Sequence, residues 1–142
     1  MIDWVDQSCK AWGRCTRWIL ADTGEGYPSA DTIAKANAGL LDAATRRSMS
    51  RHFGEVRLGD ALDVANALNA EPVMPIPLRS ALWAQYVAKA RTKERATVLS
   101  EYLREPVSVT QYWRYLDRAH YFLAARLQAP VPRGKLLAQK SS

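Results

Sequence analysis

Along this chain the apolar positions recur with the period of an α-helix, and no stretch keeps the two-residue alternation of a half-buried strand. The clearest pattern lies in residues 92–128. Val109, Tyr112, Leu116, Ala119, Leu123 and Leu127 follow steps of three and four, so they share one face of a long helix. Ser108 stands just ahead of that run. Its hydroxyl oxygen suits the free N–H groups of a first turn, which predicts a helix starting there. A shorter run with Ala96, Leu99 and Leu103 on one face precedes it. Between the two lies Arg104-Glu105-Pro106-Val107, where Pro106 drives the preceding residue out of the helical region and ends the first helix. A short helix, a tight turn and a long helix form the layout of a helix-turn-helix. The turn contains no glycine, which leaves the crossing angle of the pair open.

The rest of the chain repeats the helical theme. Residues 2–21 place Ile2, Val5, Cys9, Trp12, Thr16 and Ile19 at helical steps, with Trp4, Ala11 and Trp18 as a neighbouring stripe. Gly13 sits mid-helix, where glycine costs about 1 kcal/mol against alanine, so either another backbone approaches there or the helix bends. After a turn-rich loop at residues 22–28, Ser29 is placed to cap a helix over about residues 30–44. Residues 45–58 break the period and carry Arg46, Arg47, Arg51 and Arg57. They predict an exposed basic loop with Phe53 turned inward. Gly59-Asp60 then opens a helix with Asp60 as its cap and Leu62, Ala65 and Leu68 buried.

Residues 71–77 hold three prolines and should not be helical. They mark a boundary between an N-terminal helical part (residues 1–70), a helix-turn-helix part (71–129) and a basic tail (130–142). A helix over residues 78–90, with Leu82, Tyr86 and either Trp83 or Val87 inward, would brace the helix-turn-helix. The expected fold class is all-α, a helical bundle containing a helix-turn-helix.

Charge sharpens this picture. Residues 1–70 hold 8 basic and 9 acidic side chains and residues 71–142 hold 12 and 5, so the excess of +6 lies wholly in the second half. The basic half is the one with the helix pair, which favours a polyanionic partner. If Tyr112, Leu116 and Ala119 face inward, then Thr110, Gln111, Trp113, Arg114 and Asp117 or Arg118 face outward. A glutamine pairs with an adenine edge, an arginine with a guanine edge or a phosphate, and a threonine with either. Lys93, at the start of the first helix, completes this DNA-binding set. The alternative is an ordinary antiparallel helix pair with a solvated polar face.

Other chemistry is excluded or bland. Cys9 and Cys15, six residues apart on one helix, are rotated by about 600° and do not share an edge, so buried free thiols are expected. There is no Ser/His/Asp set, no HExxH and no Gly-rich phosphate loop, and His52 has no recognisable catalytic partner. A binding protein with no catalytic residue, metal or cofactor is the expectation. No apolar run reaches the length of a membrane span. The first residues include Asp3 and Asp6 rather than a basic region followed by an apolar core. A cytoplasmic location is expected.

Three strings together carry a resemblance: Asp3-Trp4-Val5 with Trp12-Gly13-Arg14; His52-Phe53-Gly54-Glu55-Val56 with Gly59-Asp60-Ala61-Leu62; and residues 112–120, YWRYLDRAH. They resemble small phage and prophage proteins of the late-gene antiterminator Q type. The last string is also similar to the second helix of a sigma-factor region-4-type helix-turn-helix. There Ser108 matches the capping serine, and Leu116 and Ala119 match the buried Leu and Ala.

What the resemblance implies is a protein that binds double-stranded DNA near a late promoter. It would engage bacterial RNA polymerase holoenzyme paused there and travel with it past terminators, without a cofactor. It implies DNA contacts at Thr110, Gln111, Arg114 and Arg118. It also implies polymerase or nascent-RNA contacts at Arg14, Arg17 and Trp18 of the first helix and at Arg46, Arg47 and Arg51. Two other expectations stand beside it: a helix-turn-helix promoter regulator that does not travel, and a helical protein-interaction module without a DNA site. Self-association stays open.

Overall fold

A computed structural model describes residues 1–23, 42–88 and 91–127, and among these residues every regular element is helical. The protein is all-α. The elements are α1 (Asp3–Thr23), α2 (Ala43–Phe53), α3 (Glu55–Asn69) and α4 (Ile76–Leu82), which runs into a π-helical turn (Trp83–Val87). A 3-10 turn (Thr92–Glu94) then leads into α5 (Arg95–Leu103), and α6 (Val109–Arg126) follows. The helix expected over residues 30–44 falls largely outside the described residues, and so does the tail.

Three sequence expectations are corrected here. Residues 45–58 are not a loop: they form α2 and the first turn of α3. Asp42 caps α2, accepting from Thr45 N at 3.1 Å, and Met49 is wholly buried with Phe53 one turn on against the core. One apolar contact per turn suffices to dock a short basic helix, although it is too thin a stripe to see as a period. Gly54 then separates the two helices at φ 86°, a backbone conformation that glycine adopts without strain. The second correction concerns α3, which starts at Glu55, so Gly59 lies inside the helix and Asp60 is not its cap. The third concerns residues 71–77, whose last two belong to α4. Pro77 fits its first turn because no N–H is needed there.

The buried apolar side chains form one cluster with members from both sides of the proline-rich segment. α1 lies mainly against α3 and the π-turn, and α4 lies mainly against α6. Trp12 and Trp83 meet edge-to-face with centroids 6.2 Å apart. The tightest approach is backbone to helix. A Cβ on Gly13 would stand 2.2 Å from the carbonyl oxygen of Tyr86. That oxygen accepts from Arg17 Nη1 at 2.6 Å, one turn further along α1. Glycine gives the π-turn room to sit on α1, and Arg17 satisfies the carbonyl that the ending helix leaves open. Of the two explanations the sequence allowed for Gly13, close approach is the correct one.

At the far end of α6, Arg126 donates from Nη1 to the carbonyls of Ala67 and Ala70, both at 2.7 Å, and from Nη2 to that of Pro72. Its guanidinium also lies over the Phe122 ring at 4.3 Å. A cation on the open carbonyls at the end of α3 suits the helix dipole and ties α6 to α3.

Gly13→Ala tests the central approach. Helix propensity alone would favour alanine by about 1 kcal/mol. Overpacking against a backbone that must move costs about 1–3 kcal/mol, occasionally more. The steric effect should win, giving a lower Tm and a lower denaturant midpoint in equilibrium unfolding. An unchanged or raised Tm would show that the π-turn does not rest on α1.

Candidate nucleic-acid interface

The pair α5–α6 is closed by side-chain and backbone hydrogen bonds that the turn sequence encodes. Arg104 takes the left-handed conformation at φ 55°, the position that glycine fills in most such turns. Glu105 N then reaches Ser100 O at 3.2 Å and Arg104 N reaches Glu101 O at 3.4 Å, closing the end of α5. Ser100 does further work with its hydroxyl, donating to Ala96 O at 2.8 Å and accepting from Val107 N at 2.9 Å. Ser108 caps α6 as expected, accepting from Gln111 N at 3.1 Å. No glycine is needed because Arg104 bears the strain, roughly 1–2 kcal/mol for a non-glycine residue.

The inner face of α6 is Tyr112, Leu116, Ala119 and Leu123, all buried, and Ala96 and Leu99 face them from α5. Val109 was expected on that face, but it is 60% exposed. Thr110, Gln111, Trp113, Arg114 and Arg118 are all exposed on α6, and Lys93 is exposed in the 3-10 turn that precedes α5. Two of these groups are partly engaged. Gln111 Nε2 donates to the Tyr115 hydroxyl at 2.7 Å, and the Trp113 ring meets Tyr112 edge-to-face at 5.2 Å. Asp117, beside Arg118, lies 3.3 Å from the α-amino nitrogen of Met1. The exposed ring of Tyr121 continues the line of Arg114 and Arg118, a residue that the sequence pattern did not single out.

Beneath α6 lies a buried polar chain. Ile2 N donates to His120 Nδ1 at 3.3 Å, so Nδ1 keeps its lone pair and the neutral ring carries its proton on Nε2. Nε2 lies 2.7 Å from the Tyr86 hydroxyl, which donates in turn to Asp6 Oδ1 at 2.6 Å. Every donor in this chain meets an acceptor only while the ring is neutral. Burial holds His120 below its ordinary pKa, against the pull of the Asp6 carboxylate. Burial works against the Asp6 charge too, but the Tyr86 hydrogen bond and the Lys10 ammonium at 3.1 Å outweigh it and leave the Asp6 pKa lowered.

The residues expected to touch polymerase or RNA are divided. Arg14 is exposed, and so are Arg46, Arg47 and Arg51 on α2. Arg46 and Arg47 border an open groove of about 570 Å³ with Ser50, Glu55 and Leu58. Arg17 and Trp18 are less available. Arg17 is committed to the Tyr86 carbonyl, and half-buried Trp18 packs against Phe53 and His52. A second groove of about 460 Å³ lies between Trp4, Ser8, Asp60, Asp63 and Arg126. Burial there, with Asp63 close by, raises the Asp60 pKa.

Cys9 and Cys15 are free and buried, as expected, and burial pushes the Cys15 thiol up to about 11. No helix among the described residues is long and apolar enough to cross a membrane. Among those residues no three His, Cys, Asp or Glu side chains are grouped to hold a metal. No protein-family model, curated protein or solved structure matches the chain.

The depressed His120 pKa sets the sign of a pH dependence. Between its folded value and the ordinary 6.5, the unfolded chain binds the extra proton. The stability is therefore full above that range and declines as the pH falls through it, whereas the Asp6 contribution is lost only below its ordinary 3.8. Urea unfolding from about pH 7.5 down to about pH 5 should show falling stability, and His120→Phe should flatten that slope. The same slope in wild type and variant would contradict a neutral His120.

Proposed function

We propose that this protein is a DNA-binding transcription antitermination factor. It loads at a promoter-proximal site and acts on bacterial RNA polymerase in the cytoplasm of a host cell. The observation that supports DNA binding best is the exposed line Thr110, Arg114 and Arg118 on α6, with Gln111 beside it. Those side chains stand on the first turns of a capped helix, whose opposite face is fixed by Tyr112, Leu116 and Ala119. A helix of this kind enters the major groove with its N-terminal side chains toward the base edges. Lys93, in the 3-10 turn before α5, suits a flanking phosphate.

The antitermination step rests on the likeness of three sequence strings to Q-type proteins. Arg14 and the Arg46, Arg47 and Arg51 set on α2 are the accessible groups for polymerase or nascent RNA. Arg17 and Trp18 serve in this reading as support for that surface rather than as contacts. A second reading, a protein-interaction module, draws on one observation: Gln111 is bonded to Tyr115 while Val109 and Trp113 are exposed beside it.

Single-round transcription through an intrinsic terminator downstream of the cognate promoter tests the proposal. The wild-type protein should raise read-through. Arg114→Ala should abolish that effect and weaken DNA binding by about 1–3 kcal/mol if it reads a base, or lower the salt slope by about 1 if it meets a phosphate. Unchanged termination on a template that the protein binds would leave a promoter regulator. Loss of function in Trp113→Ala but not Arg114→Ala would favour the interaction module.

A further inference from the structure

Apolar packing sets the angle between two helices joined by a short turn only to within about 15–20°, and a polar tie at a second point fixes it more closely. In α5–α6 the turn fixes the C-terminal end of α5. The N-terminal end of α5, about 12 Å away, is held by the side chain of Gln85. Gln85 Oε1 accepts from Arg95 Nη1 at 3.1 Å, at the start of α5, and from the Tyr112 hydroxyl on the first turns of α6. Among the described residues Arg95 Nε finds no acceptor, so the bond to Gln85 is what orients the guanidinium. Tyr112 is buried with its ring edge against Trp113, so the same acceptor holds the helix at the turn from which Thr110, Gln111 and Arg114 project.

Gln85 itself is not free to drift. It belongs to the π-turn, and the next residue, Tyr86, is fixed to α1 through Gly13, Arg17 and Asp6. Consecutive residues of a helical turn point in different directions, so Gln85 and Tyr86 reach different neighbours from one rigid turn.

We propose that Gln85 is a positioning residue for DNA recognition: by accepting from both Arg95 and Tyr112 it sets the angle between α5 and α6, and with it the register of the outer face of α6 on the base edges. The proposal rests on the DNA-binding reading and names the group on which its specificity depends. Both partners are donors, so the position requires an acceptor oxygen of about glutamine's reach. Loss of that acceptor affects base readout, which needs side chains in register, far more than phosphate attraction, which tolerates a shifted helix.

The test uses full-length protein, a duplex enriched by the wild type from a random-sequence library, and a scrambled duplex of equal length. Gln85→Leu should weaken binding to the enriched duplex about tenfold while binding to the scrambled duplex stays within about twofold. Gln85→Glu keeps the acceptor and should retain the preference. Tyr112→Phe removes one donor while keeping the ring, and should reduce the same preference even if Gln85→Leu fails to fold. Thermal melts of each variant separate stability from specificity. An unchanged preference in folded Gln85→Leu or in Tyr112→Phe, or an equal loss on both duplexes, would overturn the positioning role and leave DNA binding intact. Failure of the wild type to enrich any duplex would overturn the DNA reading and the positioning role with it.

Discussion

The contact between the Gly13 face of α1 and the backbone of Tyr86 governs the rest of this structure. A helix-to-backbone approach that close admits no side chain. It brings the π-turn down onto α1, where Arg17 caps the Tyr86 carbonyl and Asp6 takes the Tyr86 hydroxyl. Two consecutive residues then become fixed points: Tyr86 holds His120 in the middle of α6, and Gln85 holds Tyr112 near its start. α6 is thus oriented at two places by one short segment that is itself clamped to α1. Arg126 adds a third hold at the far end, on the carbonyls that close α3.

This arrangement separates the forces that make the fold from those available for binding. Most of the polar groups facing inward are matched donor to acceptor, although Thr16 Oγ1, Arg79 Nε and Arg95 Nε are buried without a partner among the described residues. The buried chain from Ile2 through His120 and Tyr86 to Asp6 has no spare donor, and Arg17 and Arg126 give their charge to backbone carbonyls. The arginines left exposed on α6 and α2 are not consumed by the fold, which is why we assign binding to them. Trp18 shows the same economy in reverse. Its size and the arginines around it fit an interaction anchor, yet the ring serves to hold the end of α2 through Phe53 and His52.

How much of this was legible in the sequence depended on how each feature is encoded. The long helices α1 and α6 were readable because each buries a full stripe, and the Ser108 cap was readable because one side chain makes it. α2 was not, since a helix docked by Met49 and Phe53 leaves most positions to arginine and serine, which look like a loop. The start of α3 was misplaced because Gly59 reads as a break, although the helix passes through it and the true break is Gly54. The all-α class followed from period alone. In the α5–α6 pair the outward side chains followed from the inward ones, but Val109, at the first position of α6, is exposed although it fits the inward period. The roles of Gln85, His120 and Arg126 were invisible, since each depends on atoms 10 to 118 residues away in the chain. Only the mid-helix glycine hinted at such a junction.

The central claim is that the outer face of α6 meets nucleic acid. Titration of isotope-labelled protein with an enriched duplex, followed by backbone amide shifts, tests it most directly. The account predicts the largest changes at Lys93, Thr110, Gln111, Arg114 and Arg118, with residues of α3 nearly silent. Changes confined to α1 and α2, with α6 unaffected, would contradict it.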